Sequence, residues 1–267
     1  MEDNELFNNI KIEYQEFIPN KENYETIIFM HGRGGNLLSW FQQIPFFAKE
    51  YKCIVYSQRG FGHSYDNDHS SGLLEFPKDL EAVMDNLEIE KAHLVAQSMG
   101  GVSALGFAVD NPERVLSVTF ADTTGGMGEP ILEKEMINWQ KNNPRTRGRL
   151  EAISEIFEKE IPEMANLYIQ IGQTNPELKN PSMDFTKMNL LGGPSGNDLK
   201  ALTMPVLYLV GEYDTLMPPE IIKLASSYIN HSKYVYVPGC GHSIYFEKPD
   251  IFNFEVFKFI KSATQRN

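Results

Sequence analysis

The sequence predicts an α/β protein: a mostly parallel, twisted sheet flanked by helices, with a further helical segment inserted into it. Three observations carry that prediction. Short apolar runs of strand length alternate with stretches of helical spacing, the order that builds strand–helix–strand crossovers and parallel pairing. Several runs are continuously apolar, as strands buried on both faces are. The alternation fails once, between about residues 125 and 199, where one helical pattern follows another with no strand between them.

Taken in order, Ile10 to Ile18 sets Ile10, Ile12 and Tyr14 against Lys11, Glu13 and Gln15 and reads as an early antiparallel strand. Thr26 to Met30 is a buried central strand. Trp40 to Tyr51 spaces Phe41, Ile44, Phe47 and Ala48 as one face of a helix. Cys53 to Tyr56 is another strand, and Leu73 to Leu87 another amphipathic helix. His93-Leu94-Val95 runs into Ala96-Gln97-Ser98-Met99-Gly100 and then into the small-residue stretch Gly100 to Ala104, which together read as strand, tight turn, helix. Val115 to Ala121 is a strand. Gly125-Gly126-Met127-Gly128 is a hinge-like loop, followed by helical runs over Ile131 to Lys141 and Leu150 to Gln170. Asn180-Pro181 and Gly192 to Gly196 lead back to the sheet. Pro205 to Val210 is a strand with proline at its start, Pro218-Pro219-Glu220 opens a helix, Tyr234 to Val237 is the last strand, and Phe252 to Ile260 closes the chain as a helix. The expected organisation is a core of residues 1–124 and 200–267 with a helical cap, 125–199, above the carboxyl ends of the strands, where such sheets hold their ligands.

At 267 residues the chain is long enough for one substantial core. Its 24 basic and 36 acidic residues leave a net charge of −12, which argues against nucleic acid and anionic membrane surfaces as partners. No stretch has the length of a membrane span, and Met1-Glu2-Asp3-Asn4-Glu5 lacks the basic and apolar regions of a signal peptide. Two cysteines, Cys53 and Cys240, make no disulfide framework. A cytoplasmic protein is the expectation. His63, His69, His93 and His231 show no paired spacing for a metal, and none is expected.

Ser98 is the candidate nucleophile. Small residues at 96 and 100 let the backbone take a bend that pushes the hydroxyl out of the sheet edge. Two later strands end in the partners that a serine needs. Gly211-Glu212-Tyr213-Asp214 places Asp214 just past one strand, and Pro238-Gly239-Cys240-Gly241-His242 brings His242 back over the sheet edge. The chain order is serine, acid, histidine. Asp122, at the end of the preceding strand, is a rival for the acid.

These motifs identify a resemblance to the α/β-hydrolase family that runs nearly end to end. Met30-His31-Gly32-Arg33-Gly34-Gly35 resembles its oxyanion loop, and Gln58-Arg59-Gly60-Phe61-Gly62-His63-Ser64 its Asp-Arg-Gly-x-Gly-x-Ser loop, with glutamine where aspartate is usual. Ser98-Met99-Gly100-Gly101, Asp122-Thr123-Thr124, Gly211 to Asp214 and Gly241-His242 are similar to the 3-oxoadipate enol-lactonase and small carboxylesterase branch. The resemblance implies an α/β-hydrolase fold and a cofactor-free serine hydrolase that cleaves a small carboxylic ester or lactone. His242 would be the base and Asp214 its orienting carboxylate, with the backbone N–H groups of Arg33 and Met99 as the oxyanion hole. His31 would brace the oxyanion loop. Relatives with the same triad cleave carbon–carbon bonds or make peracids, and some act as ligand sensors, so these are the alternatives. Trp40, Met127 and Trp139 are candidate substrate contacts; Met136, Phe157, Met164 and Met188 complete a mostly apolar, adaptable entrance and cap. The Arg33 side chain, if it points over the pocket, would favour a substrate carboxylate.

Overall fold

The computed structural model describes residues 6–7, 10–65, 72–176 and 192–265. His69, Asn180, Pro181 and Met188 therefore lie outside the described residues. A seven-stranded sheet organises the chain. In chain order the strands are β1 (Leu6–Phe7), β2 (Ile10–Lys11), β3 (Tyr14–Phe17), β4 (Thr26–Met30), β5 (Lys52–Tyr56), β6 (Ala92–Gln97), β7 (Val115–Ala121), β8 (Val206–Gly211) and β9 (Lys233–Val237). The sheet order is β3-β5-β4-β6-β7-β8-β9; β3 pairs antiparallel with β5 and every other pairing is parallel. The helices are α1 (Ile44–Phe47), α2 (Phe76–Asn86), α3 (Gly100–Asp110), α4 (Pro130–Asn142), α5 (Glu155–Glu160), α6 (Pro162–Gln173), α7 (Asn197–Ala201), α8 (Pro219–Ser226), α9 (Ile244–Glu247) and α10 (Pro249–Thr264).

The central strands are apolar throughout because both faces are covered. Ile28 and Met30 of β4 enter one core with Leu80, Val83 and Phe107 from α2 and α3, while Ile27 and Phe29 enter a second with Trp40, Phe252 and Val256. Parallel pairing brings the carboxyl ends of β4, β6, β7, β8 and β9 to one rim. The residues just beyond them include His31, Ser98, Asp122, Asp214 and His242.

The structure divides the longer expected elements. The alternating segment splits into β2, in a ribbon with β1, and β3 on the sheet edge. The expected helix over Trp40 to Tyr51 is a short 3₁₀ turn, Leu37–Trp40, followed by α1, whose first turn contains Pro45. The run from Leu150 to Gln170 becomes a 3₁₀ turn (Gly148–Ala152), then α5, then α6, restarted at Pro162. Proline lacks the amide donor that continuing a helix requires, so it opens a new one instead. Between β7 and β8 the described residues form helices and turns and no strand. No helix among them is long and apolar enough to cross a membrane.

Candidate active site

Ser98 occupies the turn between β6 and α3 with φ +49°, in the left-handed region. For a residue with a Cβ this costs about 1–2 kcal/mol, so its surroundings must hold it there. The Ser98 N–H donates to the Ala121 carbonyl at 2.9 Å, and the Gly101 N–H donates to the Ser98 carbonyl at 2.9 Å. The bend brings α3 so close to β4 that a Cβ on Gly100 would overlap the Met30 carbonyl. A Cβ on Gly32 would overlap the Gln97 side-chain oxygen and stand 3.0 Å from the Ser98 Cβ, so glycine there lets the loop after β4 close on Gln97 and the serine.

His242 Nε2 lies 2.8 Å from Ser98 Oγ, and His242 Nδ1 lies 2.8 Å from Asp214 Oδ2. His242 and Asp214 are buried, whereas Ser98 is partly open to the cavity described below. The other Asp214 oxygen, Oδ1, accepts from the N–H groups of Leu216 (2.9 Å) and Met217 (2.8 Å), which fixes the carboxylate. Gln97, directly before the serine, donates from Nε2 to the His242 carbonyl at 2.8 Å. Asp122 accepts from the Gly211 and Ile244 N–H groups at 3.0 and 3.3 Å and is not bonded to the imidazole. Burial, and then the Asp214 charge, push its carboxyl well above the ordinary range. Glu247 holds the histidine loop from the other side. It accepts from the Gly241 N–H at 2.9 Å and from the Ser154 N–H and hydroxyl at 3.1 and 2.6 Å, and burial raises its pKa.

The loop after β4 is braced from within. The Gln58 N–H donates to His31 Nε2 at 2.9 Å; the ring proton therefore sits on Nδ1, which donates to the Gly32 carbonyl at 2.8 Å. Burial lowers the His31 pKa to about 4, so the ring is neutral. Gln58 carries its own links, from Nε2 to the His31 carbonyl and through Oε1 to the Ser103 hydroxyl. The Gly35 N–H closes the turn on the Gly32 carbonyl at 3.0 Å. From the inserted segment, Asn175 Nδ2 donates to the Gly34 and Gly35 carbonyls at 2.9 and 3.2 Å. Sequence reasoning missed Gln97, Asn175 and Glu247. Only Gln97 carried a signal, its place beside the serine.

A cavity of about 560 Å³ opens over Ser98 and His242. Its lining falls into two groups. Leu132, Met136 and Ile137 of α4 meet Leu216, Met217 and Ile221 on the α8 side, and Met127 joins this apolar wall. The other wall is the loop after β4 together with α6 and the 3₁₀ turn before α5, and there Arg33, Tyr168, Gly172, Asn175 and Arg149 line it. The apolar lining that the sequence led one to expect is thus concentrated on one wall, and the polar groups on the other.

Two expected contacts are corrected. Trp40 is fully buried in the core, its ring 5.1 Å from that of Phe29 and 4.9 Å from that of Tyr245, and does not line the cavity. Trp139 packs against the other core and donates from Nε1 to the Thr215 carbonyl at 2.9 Å, also off the cavity wall. Phe157 and Met164 likewise pack into the core. Among the described residues, no His, Cys, Asp or Glu cluster is arranged to hold a metal.

A family model described as alpha/beta hydrolase fold matches residues 25–151 and 135–249. A 2-hydroxy-6-oxononadienedioate/2-hydroxy-6-oxononatrienedioate hydrolase of Cupriavidus pinatubonensis is 26% identical over 254 residues, covering 88% of this chain and 86% of its own length. A carboxylesterase of Bacillus subtilis, itself uncharacterized, is 24% identical over 262 residues, covering 91% and 81%. The enol-lactonase from Burkholderia xenovorans superposes with a TM-score of 0.76 at 17% identity, over 96% of this chain and 99% of that one.

Proposed function

The chain belongs to the alpha/beta hydrolase fold family, and from that premise we propose that it is a serine hydrolase cleaving a small carboxylic ester or lactone through an acyl-enzyme on Ser98. The observation that carries the proposal is the unbroken relay from Ser98 Oγ through the His242 ring to Asp214, 2.8 Å at each step, at the floor of the cavity.

A serine hydroxyl is a weak nucleophile at neutral pH, and the relay answers that weakness. His242 Nε2 takes the Ser98 proton as Oγ attacks the carbonyl, and Asp214 holds the Nδ1–H tautomer and stabilises the imidazolium. His242 then protonates the leaving alkoxide. Water, deprotonated by the same ring, releases the acid from Ser98. The charge on the tetrahedral oxygen is met by the backbone N–H groups of Met99, at the N-terminus of α3, and of Arg33, on the loop that Gly32 brings against the serine. One such donor is worth about 3 kcal/mol of barrier lowering. The inserted segment 125–199 acts as a cap that walls the acyl pocket with Leu132 and Met136.

A second reading draws on the relative from Cupriavidus, whose substrate name describes an enol, a ketone and carboxylates but no ester. The same relay supports hydrolysis of a carbon–carbon bond next to a ketone. Purified protein offered 4-nitrophenyl butyrate, a lactone panel and a 2-hydroxy-6-oxo-dienoate separates the readings. Steady turnover of the ester or a lactone, lost by a factor of about 10⁴ or more in Ser98→Ala, supports the proposal. Turnover of the dienoate alone moves the assignment to the second reading. Single-turnover labelling of Ser98 with no steady state replaces both with a ligand sensor.

A further inference from the structure

We infer that Arg149 is the anchor for a carboxylate on the substrate, so that the hydrolase acts on an ester or lactone that also carries an anionic end. This deepens the proposed function and rests on it for the reaction, though not for the binding.

Arg149 is a cation with no acid partner among the described residues. Arg149 stands in the 3₁₀ turn before α5 and lines the cavity that Ser98 and His242 also line. Its guanidinium lies over the Tyr168 ring, with Cζ 5.0 Å from the centroid. Its one hydrogen bond among the described residues is a long 3.4 Å contact from Nη2 to the Tyr168 carbonyl. Nε is buried and has no hydrogen-bond partner among the described residues. No carboxylate among the described residues pairs with it, although eight other Lys or Arg side chains among them find acid partners, such as Arg147 with Glu158 and Arg114 with Asp85. A guanidinium presents five donors in a planar fork matched to two carboxylate oxygens. Half-buried and short of acceptors, this one is built to receive them from outside the chain.

The fold reserves room for it. A Cβ on Gly34, in the loop after β4, or on Gly172, in α6, would run into the guanidinium. Two glycines on separate elements thus make the slot between the oxyanion loop and the insertion, and Tyr168 forms its floor. The wider charge pattern agrees. The chain carries a net charge of −12, which repels anions at a distance. Yet the described cavity lining holds Arg33, Arg145 and Arg149 against one acid, Glu133. The apolar wall of α4 and α8 suits an acyl chain; the Arg149 wall suits its charged end.

The test uses the full-length protein and reads binding and turnover separately. Calorimetry of Ser98→Ala with glutarate, and with the neutral diamide glutaramide, is expected to give binding of the diacid at least ten times tighter, lost when Arg149→Met is added. Kinetics compare mono-4-nitrophenyl glutarate with 4-nitrophenyl pentanoate. The ratio of their kcat/KM values is expected to favour the anionic ester and to fall at least about 30-fold in Arg149→Met, the size expected for removing one partner of a desolvated charge pair. A ratio cancels any effect common to both esters. Gly172→Ala provides an arm that leaves Arg149 in the chain: alanine suits the helix better than glycine, but its methyl displaces the guanidinium, so the ratio falls here too. Equal binding of glutarate and glutaramide overturns the inference. So does a ratio unchanged in Arg149→Met, or one lost only in Arg33→Ala. If neither ester turns over, the hydrolase reading fails, and the calorimetry alone decides for or against Arg149 as a carboxylate site.

Discussion

The sheet rim and the inserted helical segment meet at the same cavity but are built by different rules. At the rim, each reactive side chain sits a few residues beyond a parallel strand: Ser98 one residue after β6, Asp214 three after β8, His242 five after β9. Strand pairing fixes where those ends fall, and short glycine-containing turns then set Ser98 and Asp214 each 2.8 Å from the His242 ring. In the insertion, most of the residues that reach the cavity come from α4, the turn at Gly148–Ala152 and α6 or the segments beside them, and their positions follow from how these helices pack against the core and one another. On the proposed reading, the rim carries what every acyl transfer needs. The insertion carries what distinguishes one substrate from another. The two regions therefore fail in different ways when perturbed, the rim in kcat and the insertion in the ratio between substrates.

The largest expected effect separates two acids of the rim. In Asp214→Asn the amide oxygen keeps its place on the Leu216 and Met217 N–H groups, and the amide NH₂ then faces His242 Nδ1. The imidazole must switch its proton to Nε2, where it can no longer take one from Ser98. A loss of about 10⁴ in kcat is expected, the size of a tautomer failure. Asp122→Asn removes one backbone hydrogen bond near the histidine loop but leaves the ring and its partner in place. Its loss in kcat is expected to stay within about tenfold, equivalent to about 1.4 kcal/mol. Steady-state kinetics on one chromogenic ester check both; comparable losses would show that Asp122 shares the orienting role.

Legibility in the sequence follows the same division. Thr26 to Met30 and Val115 to Ala121 were readable to the residue because each is a run of apolar and small or β-branched residues, almost wholly buried, that stops at a charged residue or a histidine. The serine, acid and histidine were readable because a strand followed by glycines is a local pattern. Breaks within helices were harder, since Pro45 and Pro162 also fit the first turn of a helix and interrupt an apolar spacing that runs on through them. Trp40 and Trp139 were misplaced for a related reason: a tryptophan near a site in sequence is as readily a core residue as a wall residue. Phe29, Tyr245 and Phe252 enclose the first, and the Thr215 carbonyl takes the second. Arg149 had no local signature. What sets it apart is the absence of a counter-charge among the described residues, and that is a property of the packed chain.

A second prediction concerns stability and pH. His31 is buried and neutral, with a pKa near 4 against an ordinary 6.5. Between these values the unfolded chain binds a proton that the folded chain refuses, so stability falls as pH drops from about 6.5 towards 4. The full span is about 3 kcal/mol for one such group. Asp122, with its raised pKa, acts with the opposite sign: the unfolded chain releases its proton first, so stability falls as pH rises past the ordinary carboxylate range. The measurement is therefore a difference of slopes. Urea midpoints between pH 7 and 4.5 are expected to fall more gently in His31→Gln than in the parent. Residues 125–199 contain no histidine, so this acid sensitivity belongs to the rim. Parallel slopes in the two proteins would show that the His31 ring takes up its proton in the folded state.

The smallest effect falls where the two regions touch. Asn175 follows α6 and reaches the rim with both ends of its amide. Nδ2 donates to the Gly34 and Gly35 carbonyls, and Oδ1 accepts from the Gly62 N–H at 2.8 Å and from Asn36 Nδ2 at 3.2 Å. Asn175→Ala frees these groups at a half-buried site, where water replaces part of what is lost, so the expected destabilisation is about 1 kcal/mol. The catalytic consequence is more informative than the stability. The turn from Gly32 to Gly35 carries the Arg33 N–H, and loosening it weakens a contact that matters most when charge develops on the carbonyl oxygen. A threefold to tenfold fall in kcat with KM nearly unchanged is expected, with neutral and anionic esters affected alike. Asn175→Asp is expected to do no better: the carboxylate still accepts from Gly62, but it turns an oxygen towards the Gly34 and Gly35 carbonyls. A fall in the ester ratio without a fall in kcat would place Asn175 with Arg149 among the groups that select the substrate, and would remove the link through which the insertion acts on the chemistry of the rim.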